Sequence, residues 1–266
     1  MSLSQQIAWN RQTAGNWGEF ATHREHLARL LDELCSGRHE QGQGHEQGQG
    51  RLMVLGAGNC NDLDLPRALG RFAGVQLVDW DRAAVLEGVR RQGCEPGPRL
   101  SVDAPVDLQH PVDRLQPPAT EAAADVVLSA GLLSQLVYSA IHSSAERPAA
   151  VASRAAEVRL GHLHDVLRRL RPGGRALVSF EIVSSDTLPE LVAWPPAELA
   201  VRIAAAVRHG NFFTGMHPRA VFDAGQRLVR DGQAVDLRRY PPWRWSLGSR
   251  HYAVAALSFG RGRKPL

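Results

Sequence analysis

The sequence predicts an α/β protein in which a doubly wound, mostly parallel sheet carries helices on both faces. Short apolar runs alternate along the chain with segments of helical periodicity, and this alternation is typical of parallel sheets. The first apolar run leads directly into a glycine-rich turn, as happens where such sheets bind ligands. The predicted strands of this sheet are Leu52–Leu55, Val75–Val78, Arg99–Val102, Ala124–Ser129 and Arg175–Ile182.

The composition is ordinary for a globular protein and shows no preference for a nucleic-acid partner. The 266 residues include 31 Lys and Arg against 27 Asp and Glu, a formal charge of only +4, and the arginines are scattered rather than gathered in a stripe. Cys35, Cys60 and Cys94 lack zinc-site spacing, so we expect free thiols in a reducing cytoplasm. No apolar run reaches the length of a membrane span, and the polar N-terminus is not typical of a signal peptide.

Residues 1–36 are predicted to form a helical extension, either a lid or an extra helix packed over the sheet. A helix within Ile7–Cys35 has one apolar face, built by four leucines at helical spacing: Leu27, Leu30, Leu31 and Leu34. His23 and His26 stand three positions apart, but no third ligand accompanies them. We therefore interpret them as solvated surface histidines and predict no metal site.

The segment 37–50 separates this extension from the main domain, 51–266. It holds the hexapeptide H-E-Q-G-Q-G twice, as His39–Gly44 and His45–Gly50, without an apolar residue in either copy. Such a composition buries too little surface to offset the entropy lost on ordering. We therefore predict a flexible linker.

The glycine-rich turn lies in the stretch R-L-M-V-L-G-A-G-N-C-N-D-L-D, which is Arg51–Asp64. It joins the first strand to a helix that we expect to begin at Asp62 or just after. Gly56 and Gly58 would allow the backbone to approach a cofactor closely, as residues with side chains would not. The turn is therefore the first candidate for a cofactor site.

Three interpretations of this turn are open from its own residues. A dinucleotide fingerprint requires a third glycine at the position of Asn61. A methyltransferase loop has its third glycine at the position of Cys60, where this chain has another small residue. A purely structural turn in an α/β protein needs no ligand at all.

An acidic residue follows the second predicted strand. Asp79 comes directly after Val78, and a carboxylate there can accept hydrogen bonds from both ribose hydroxyls, in NAD and S-adenosylmethionine sites alike. Asp81 precedes a helical run, Arg82–Arg91, and is predicted to be its N-cap. Trp80 lies between the two acids, either against an adenine or packed in the interior.

The second half of the chain continues the alternation and then closes with a hairpin. A long amphipathic helix is predicted from Glu157 to Arg171-Pro172-Gly173-Gly174, where proline and paired glycines stop it. Two further helices are predicted at Pro196–Arg208 and Pro218–Arg230.

The chain is predicted to end in two antiparallel strands. These are Val235–Trp245 and His251–Phe259, separated by a short turn that contains Gly248. Because proline lacks an N–H to donate, Pro241 and Pro242 indicate that the first of these strands lies at a sheet edge or bulges.

Taken in order, these segments resemble the class I S-adenosylmethionine-dependent methyltransferases, a family with a Rossmann-like fold, from about Leu52 to Ser179 and on through the C-terminus. A leucine-rich helix that ends in R-P-G-G is common in this family and unusual in NAD enzymes. The resemblance implies a seven-stranded sheet with a C-terminal antiparallel hairpin. The matching pieces are V-L-G-A-G-N-C, L-V-D-W-D, V-D-L, A-D-V-V-L-S-A-G-L-L-S-Q-L and L-R-R-L-R-P-G-G-R-A-L-V-S-F.

The resemblance implies S-adenosylmethionine as the cofactor. Asp79 would bind the ribose, with Trp80 beside it, and Asp107, with Asp103 as its competitor, would lie near the adenine amino group. One departure is Val54, which stands where many members have an acid that anchors the cofactor amino group. The loop under the methionine moiety would be Gly56, Ala57, Gly58, Asn59 and Cys60. The residues beside the sulfonium and its methyl group would be Ser129, Ala130 and Gly131.

The leading hypothesis is methyl transfer to an acceptor that we expect to be a small molecule. Methyl transfer from a sulfonium is an in-line displacement, so alignment supplies most of the catalysis. A general base helps where the acceptor must lose a proton; Glu181, Asp186, His142 and His217 are candidates near strand ends, and none is assigned. The alternatives are a methyltransferase-like binding protein without turnover and an NAD-dependent oxidoreductase.

Overall fold

Strands and helices alternate along most of the chain in the computed structural model, which describes residues 3–36, 50–109, 123–142 and 148–263. The strands are β1 (Arg51–Leu55), β2 (Gly74–Val78), β3 (Leu100–Asp103), β4 (Ala124–Ala130), β5 (Leu170–Ser184), β6 (Ala234–Leu247) and β7 (Arg250–Arg261). The helices are α1 (Leu3–Thr13), α2 (Ala21–Ser36), α3 (Leu65–Arg71), α4 (Arg82–Arg91), α5 (Leu132–His142), α6 (Pro148–Arg169), α7 (Leu199–Arg208) and α8 (Pro218–Arg230).

The seven strands form one sheet in the order β3-β2-β1-β4-β5-β7-β6. Neighbours from β3 to β5 are parallel, whereas β7 runs antiparallel to both β5 and β6. The predicted fold class, a doubly wound and mostly parallel sheet with a terminal antiparallel hairpin, is therefore confirmed. The chain leaves β1 in one direction and returns to β4 on its other side, so the topological switch point lies between these two strands.

Two apolar cores cover the two faces of the sheet. One face packs against α2, α3 and α4, and the other against α5, α6, α7 and α8. Because β4 lies in the middle, all seven of its residues are buried, which explains its continuous apolar sequence. Within the described ranges, every helix is too short or too polar to cross a membrane.

The N-terminal segment forms two helices rather than one. A turn between Thr13 and Ala21, which includes Gly15 and Gly18, separates α1 from α2. The four leucines of α2 are buried as predicted and join the core on the face of α3 and α4. The predicted linker, 37–50, lies outside the described residues except for Gly50.

Two helices begin at places that the sequence did not indicate. The first, α3, starts at Leu65 rather than near Asp62, because the Asp64 carboxylate caps it by accepting a hydrogen bond from the Arg67 N–H at 2.9 Å. The second, α6, starts at Pro148, well before Glu157, since proline is well suited to the first turn of a helix.

The proline-containing segments behave as expected. The strand β6 is an edge strand, and its register with β7 shifts between Tyr240 and Trp243, across the two prolines. At the R-P-G-G segment, the chain passes directly from α6 into β5. A Cβ on Gly174 would lie 2.9–3.1 Å from the carbonyl oxygens of Arg171, Ala124 and Asp125, so the close approach of the two strands requires glycine there.

Candidate cofactor site

The glycine loop after β1 folds back onto the end of β2. The N–H groups of Gly56 and Ala57 donate to the Val78 carbonyl at 2.9 and 3.2 Å. Gly56, Gly58 and Cys60 all have positive φ angles, +72°, +47° and +54°. The first two positions suit glycine, whereas Cys60 adopts the left-handed conformation despite its side chain.

Cys60 is structural rather than reactive. Its side chain is almost fully buried, and burial raises the pKa of the thiol to about 12, so the thiol is protonated and a poor nucleophile at neutral pH. Close packing also fixes the loop beside it. A Cβ on Gly88 in α4 would lie only 2.2 Å from the Asn59 carbonyl oxygen, so this helix can approach the loop only because it has glycine there.

Asp79 is held against this loop by backbone donors. The Gly58 N–H donates to its Oδ2 and the Asp81 N–H to its Oδ1, each at 2.8 Å. Asp79 is 5% exposed, and burial raises its pKa, although the backbone N–H groups of Asp81, Gly58 and Trp80 oppose that shift. A carboxylate has about four acceptor sites, so at least one remains for a ligand hydroxyl. Asp81 caps α4, as predicted, by accepting from the Ala84 N–H at 3.1 Å.

Helix α1 lies across the glycine loop. The Asn59 side-chain amide donates to the Asn10 carbonyl at 2.5 Å and to Thr13 Oγ1 at 3.0 Å, and the Asn61 amide donates to the Thr13 carbonyl at 2.9 Å. Asn10 also donates to Asp81 Oδ2 at 3.3 Å. The predicted loop residue Asn59 therefore directs its side chain to α1.

Two arginines fix the turn between α1 and α2 to the loop. Arg24 donates to the carbonyls of Trp17 and Asn61, at 3.1 and 2.9 Å, and its guanidinium lies 3.4 Å from the centre of the Trp17 ring. Arg91 donates to the Asn59 carbonyl at 2.6 Å and to Asn61 Oδ1 at 2.8 Å. Burial lowers the pKa of Arg24. These contacts order the loop without any ligand.

The candidate adenine residues lie after β2 and β3. Trp80 is half-buried. Asp103 is exposed and accepts a hydrogen bond from the Gln76 side chain at 2.5 Å. Asp107 accepts one from the Gln109 N–H at 2.8 Å. The contact between either acid and an adenine stays a prediction.

The three predicted residues at the end of β4 face different ways. Side chains alternate along a strand, so Ser129 points towards α6 and forms a hydrogen bond of 2.9 Å with His162 Nε2. Ala130 belongs to the opposite core and borders a cavity near the loop. Gly131 has φ +65° and approaches Glu181, whose Oε1 lies 3.0 Å from the position that a Cβ on Gly131 would occupy.

Glu181 is part of a polar cluster that the sequence did not predict as a unit. His23 is 2% exposed, so the prediction that it is a solvated surface residue is wrong. Its Nδ1 accepts a hydrogen bond from the Trp243 indole N–H at 3.0 Å, and its Nε2 lies 3.2 Å from Asp62 Oδ1. No sequence signal joins these residues, because 220 positions separate His23 from Trp243.

The other candidate bases have structural or surface surroundings. Asp186 forms a 2.6 Å ion pair with Arg250. His142 is exposed and stacks on Tyr138. His217 caps α8 by accepting a hydrogen bond from the Arg219 N–H at 3.1 Å. Within the described ranges no group of three His, Cys, Asp or Glu side chains is arranged to hold a metal ion.

A small cavity borders the loop. Helix α1 lies directly against the loop, so we expect it to shift when a cofactor with a nucleoside enters. The residues that line the cavity include Val54, Gly56, Ala57, Cys60, Asp62 and Ala130.

No protein-family model matches the chain, and no curated protein matches it. Solved structures similar to it include an O-methyltransferase family protein from Burkholderia thailandensis, with 17% identity and a TM-score of 0.44 over 98% of this chain and 60% of that one. A methyltransferase from Pyrococcus furiosus has 12% identity and a TM-score of 0.42 over 86% and 83%. A cofactor-bound protein from MTB has 13% identity and a TM-score of 0.46 over 97% and 91%. This chain thus spans 60% of the length of the Burkholderia protein, and similarity at this level does not extend to activity.

Proposed function

We propose that this protein transfers a methyl group from S-adenosylmethionine to a small-molecule acceptor. The observation that carries the proposal is the hydrogen bond between the Gly58 N–H and Asp79 Oδ2. It joins the glycine loop after β1 to the acid after β2 beside the switch point, where open α/β sheets bind ligands. A nucleoside could then place its ribose on Asp79 and its remaining chain over the loop.

The start of α3 favours S-adenosylmethionine over NAD. In a dinucleotide site, the glycine loop opens directly into a helix whose N-terminus binds the pyrophosphate. Here α3 begins only at Leu65, and the Asp64 carboxylate already caps its N-terminus. Asn61, at the third glycine position of the fingerprint, is bound to α1. These features argue against a pyrophosphate at this loop.

The acids near the cavity also favour a cationic cofactor. Asp62 lines the cavity, Asp79 is at the end of β2, and Glu181 approaches Gly131. Carboxylates repel the phosphates of NAD but attract the sulfonium and amino groups of S-adenosylmethionine. The structure shows no disulfide among Cys35, Cys60 and Cys94 in the described residues, so a reducing cytoplasm stays the expected compartment.

The second candidate is a protein that binds the cofactor without turnover. It is favoured by the packing of α1 over the loop, where Asn10 Oδ1 lies 3.3 Å from the position of a Cβ on Gly58. If α1 stays in place after cofactor binding, it limits the access of an acceptor. An acceptor screen that measures formation of S-adenosylhomocysteine separates the two candidates.

Calorimetry with S-adenosylmethionine, S-adenosylhomocysteine and NAD tests the cofactor assignment. We expect both sulfur compounds to bind at sub-millimolar concentration and NAD not to bind. Asp79→Ala should weaken both at least about tenfold, because it removes a charged acceptor from the ribose. The control is Glu87→Gln, which alters an exposed carboxylate on α4. Tight NAD binding, or full affinity in Asp79→Ala, would contradict the proposal.

A further inference from the structure

Glu181 lies at the end of β5 on the face of the sheet that α2 covers. Its carboxylate approaches Gly131 at the end of β4, and its own N–H donates to Ser134 Oγ at 3.0 Å. Gly131 immediately follows Ala130, which lines the cavity with Asp62. The carboxylate therefore lies one residue beyond the cavity lining, between two strand ends.

The charge of Glu181 is only partly balanced by its surroundings. The Ser134 side chain and the Glu181 N–H favour the ionised carboxylate, as does His23 from α2, whereas Asp62 from the loop after β1 opposes its ionisation. Tyr252 from β7 is itself affected by Glu181. No arginine or lysine is among the groups that act on Glu181 in the described part of the chain.

Both ring nitrogens of His23 face partners other than Glu181. An indole N–H is only a donor, so His23 Nδ1 accepts the hydrogen bond from Trp243. The other ring nitrogen, Nε2, faces Asp62.

Two further polar atoms near Glu181 have no hydrogen-bond partner among the described residues. Ser179 precedes Glu181 by two positions on the same strand, so both side chains point to the same face of the sheet. Its Oγ is fully buried and has no hydrogen-bond partner among the described residues, and the same holds for the buried indole Nε1 of Trp245. A buried hydroxyl without a partner is destabilising, and a ligand at this site would supply one.

We propose that Glu181, with Asp62 beside it, binds a positively charged group of S-adenosylmethionine. This inference rests on the proposed function. Many members of the family that this chain resembles have an acid at the position of Val54. Here Glu181 at the end of β5 and Asp62 in the loop after β1 would supply that acid. The proximity of Glu181 to Gly131 favours the sulfonium, and the α-amino group is the other cation of the same ligand.

The protonation of Glu181 makes the proposal measurable. Burial raises the pKa of its carboxyl, whereas a bound cation lowers it again. Below the raised pKa, binding of the cation must therefore release a proton, and affinity must rise as pH increases through that pKa. A ligand that places no cation at Glu181 releases no proton there.

The experiment compares wild type with Glu181→Gln by calorimetry, using S-adenosylmethionine and the uncharged sulfide S-adenosylhomocysteine in buffers of different ionisation enthalpy. We expect the substitution to weaken S-adenosylmethionine about tenfold, to change S-adenosylhomocysteine less than about threefold, and to abolish proton release. Equal weakening of both, again with loss of proton release, assigns the α-amino group instead. The matched control is Glu190→Gln, which neutralises an exposed carboxylate.

Two results overturn the inference. One is unchanged affinity for both ligands in Glu181→Gln, and the other is proton release that persists in that variant. Failure of the proposed function looks different, because then wild type itself binds neither ligand. If Glu181→Gln has a lowered thermal midpoint, Asp62→Asn supplies a second test, since that side chain is partly exposed; full affinity of Asp62→Asn for both ligands would likewise contradict the proposal.

Discussion

Two buried polar clusters lie at the ends of adjacent strands but on opposite faces of the sheet. On the α6 side, Ser129 and His162 are hydrogen-bonded to each other at 2.9 Å and are nearly inaccessible to solvent. On the α2 side, Glu181 and His23 lie near Asp62, which borders the cavity. In the first cluster, the two side chains are hydrogen-bonded to each other. The second combines a carboxylate whose charge is only partly balanced with a neighbouring cavity.

We infer from this difference that the first cluster contributes to stability and the second to ligand binding. A self-contained buried pair contributes through its hydrogen bond and packing, so its loss should lower the free energy of unfolding and leave affinity unchanged. A buried carboxylate whose charge is not balanced lowers the stability of the fold, and a bound ligand of opposite charge offsets that loss. Because side chains alternate along β4, Ser129 belongs to the cluster on the α6 side, whereas Ala130 lies on the side of the cavity.

The largest effect is expected from His162→Ala. The change removes a buried ring and leaves Ser129 without its partner, so we expect the free energy of unfolding to fall by about 3–5 kcal/mol. Urea unfolding measures this loss, and calorimetry of the folded variant should give unchanged cofactor affinity. His209→Ala, on an exposed histidine, is the control. A loss of affinity in His162→Ala would remove the distinction between the clusters.

The stability of the Ser129–His162 cluster should also depend on pH. Burial lowers the pKa of His162 to about 4, below the value near 6.5 in the unfolded chain. The unfolded state therefore binds the proton more readily, and stability falls by up to about 3 kcal/mol as pH decreases from 6.5 to 4. Urea titrations of wild type and His162→Gln should differ in this slope. The pKa of His26 is also lowered to about 4, but both proteins share it; equal slopes would contradict the prediction.

A smaller effect is expected from Gly131→Ala, which tests the Glu181 side of the comparison. The positive φ makes alanine cost about 1–2 kcal/mol, and its Cβ would displace the Glu181 carboxylate. Gly210→Ala is a matched control, since Gly210 has φ +80° and no atom within 4 Å of the added Cβ. Both variants should lose stability, but only Gly131→Ala should lose affinity for S-adenosylmethionine. Equal affinity in the two variants would argue against a binding role for Glu181.

The smallest effect is expected from Asn10→Ala, which loosens α1. It removes the hydrogen bond to Asp81 and should cost about 0.5–1.5 kcal/mol. Because cofactor entry requires α1 to move, affinity should stay constant or rise up to a few fold. Limited proteolysis should cut the turn before α2 faster than in wild type. Gln12→Ala, exposed on the same helix, serves as the control, and weaker cofactor binding in Asn10→Ala would show that α1 holds the ligand.

Periodicity and turn residues predicted most of the fold. The strands, the cap at Asp81 and the hairpin with a bulge at its prolines follow from local signals. The start of α3 did not, since aspartates stand at both 62 and 64 and only the structure shows that Asp64 is the cap. The burial of His23 was also missed, since its partner Trp243 comes from the other end of the chain.

The sequence predicted which loop and strand ends form the candidate site, but not the contacts between their side chains. The glycine loop and Asp79 follow from the order of motifs, and the structure places them in direct contact. The sequence could not indicate that Ser129 faces α6 or that Glu181 reaches Gly131, because both depend on strand register and on which helix covers each face. Their contacts arise only when distant segments pair.

The bond between His23 and Trp243 constrains the order in which the chain can fold. When α2 leaves the ribosome, the strands that complete its apolar environment, β6 and β7, have not yet been synthesised. Its leucine face therefore becomes fully packed only when nearly the whole chain is available. Such long-range closure predicts slow folding compared with a helical protein of the same length.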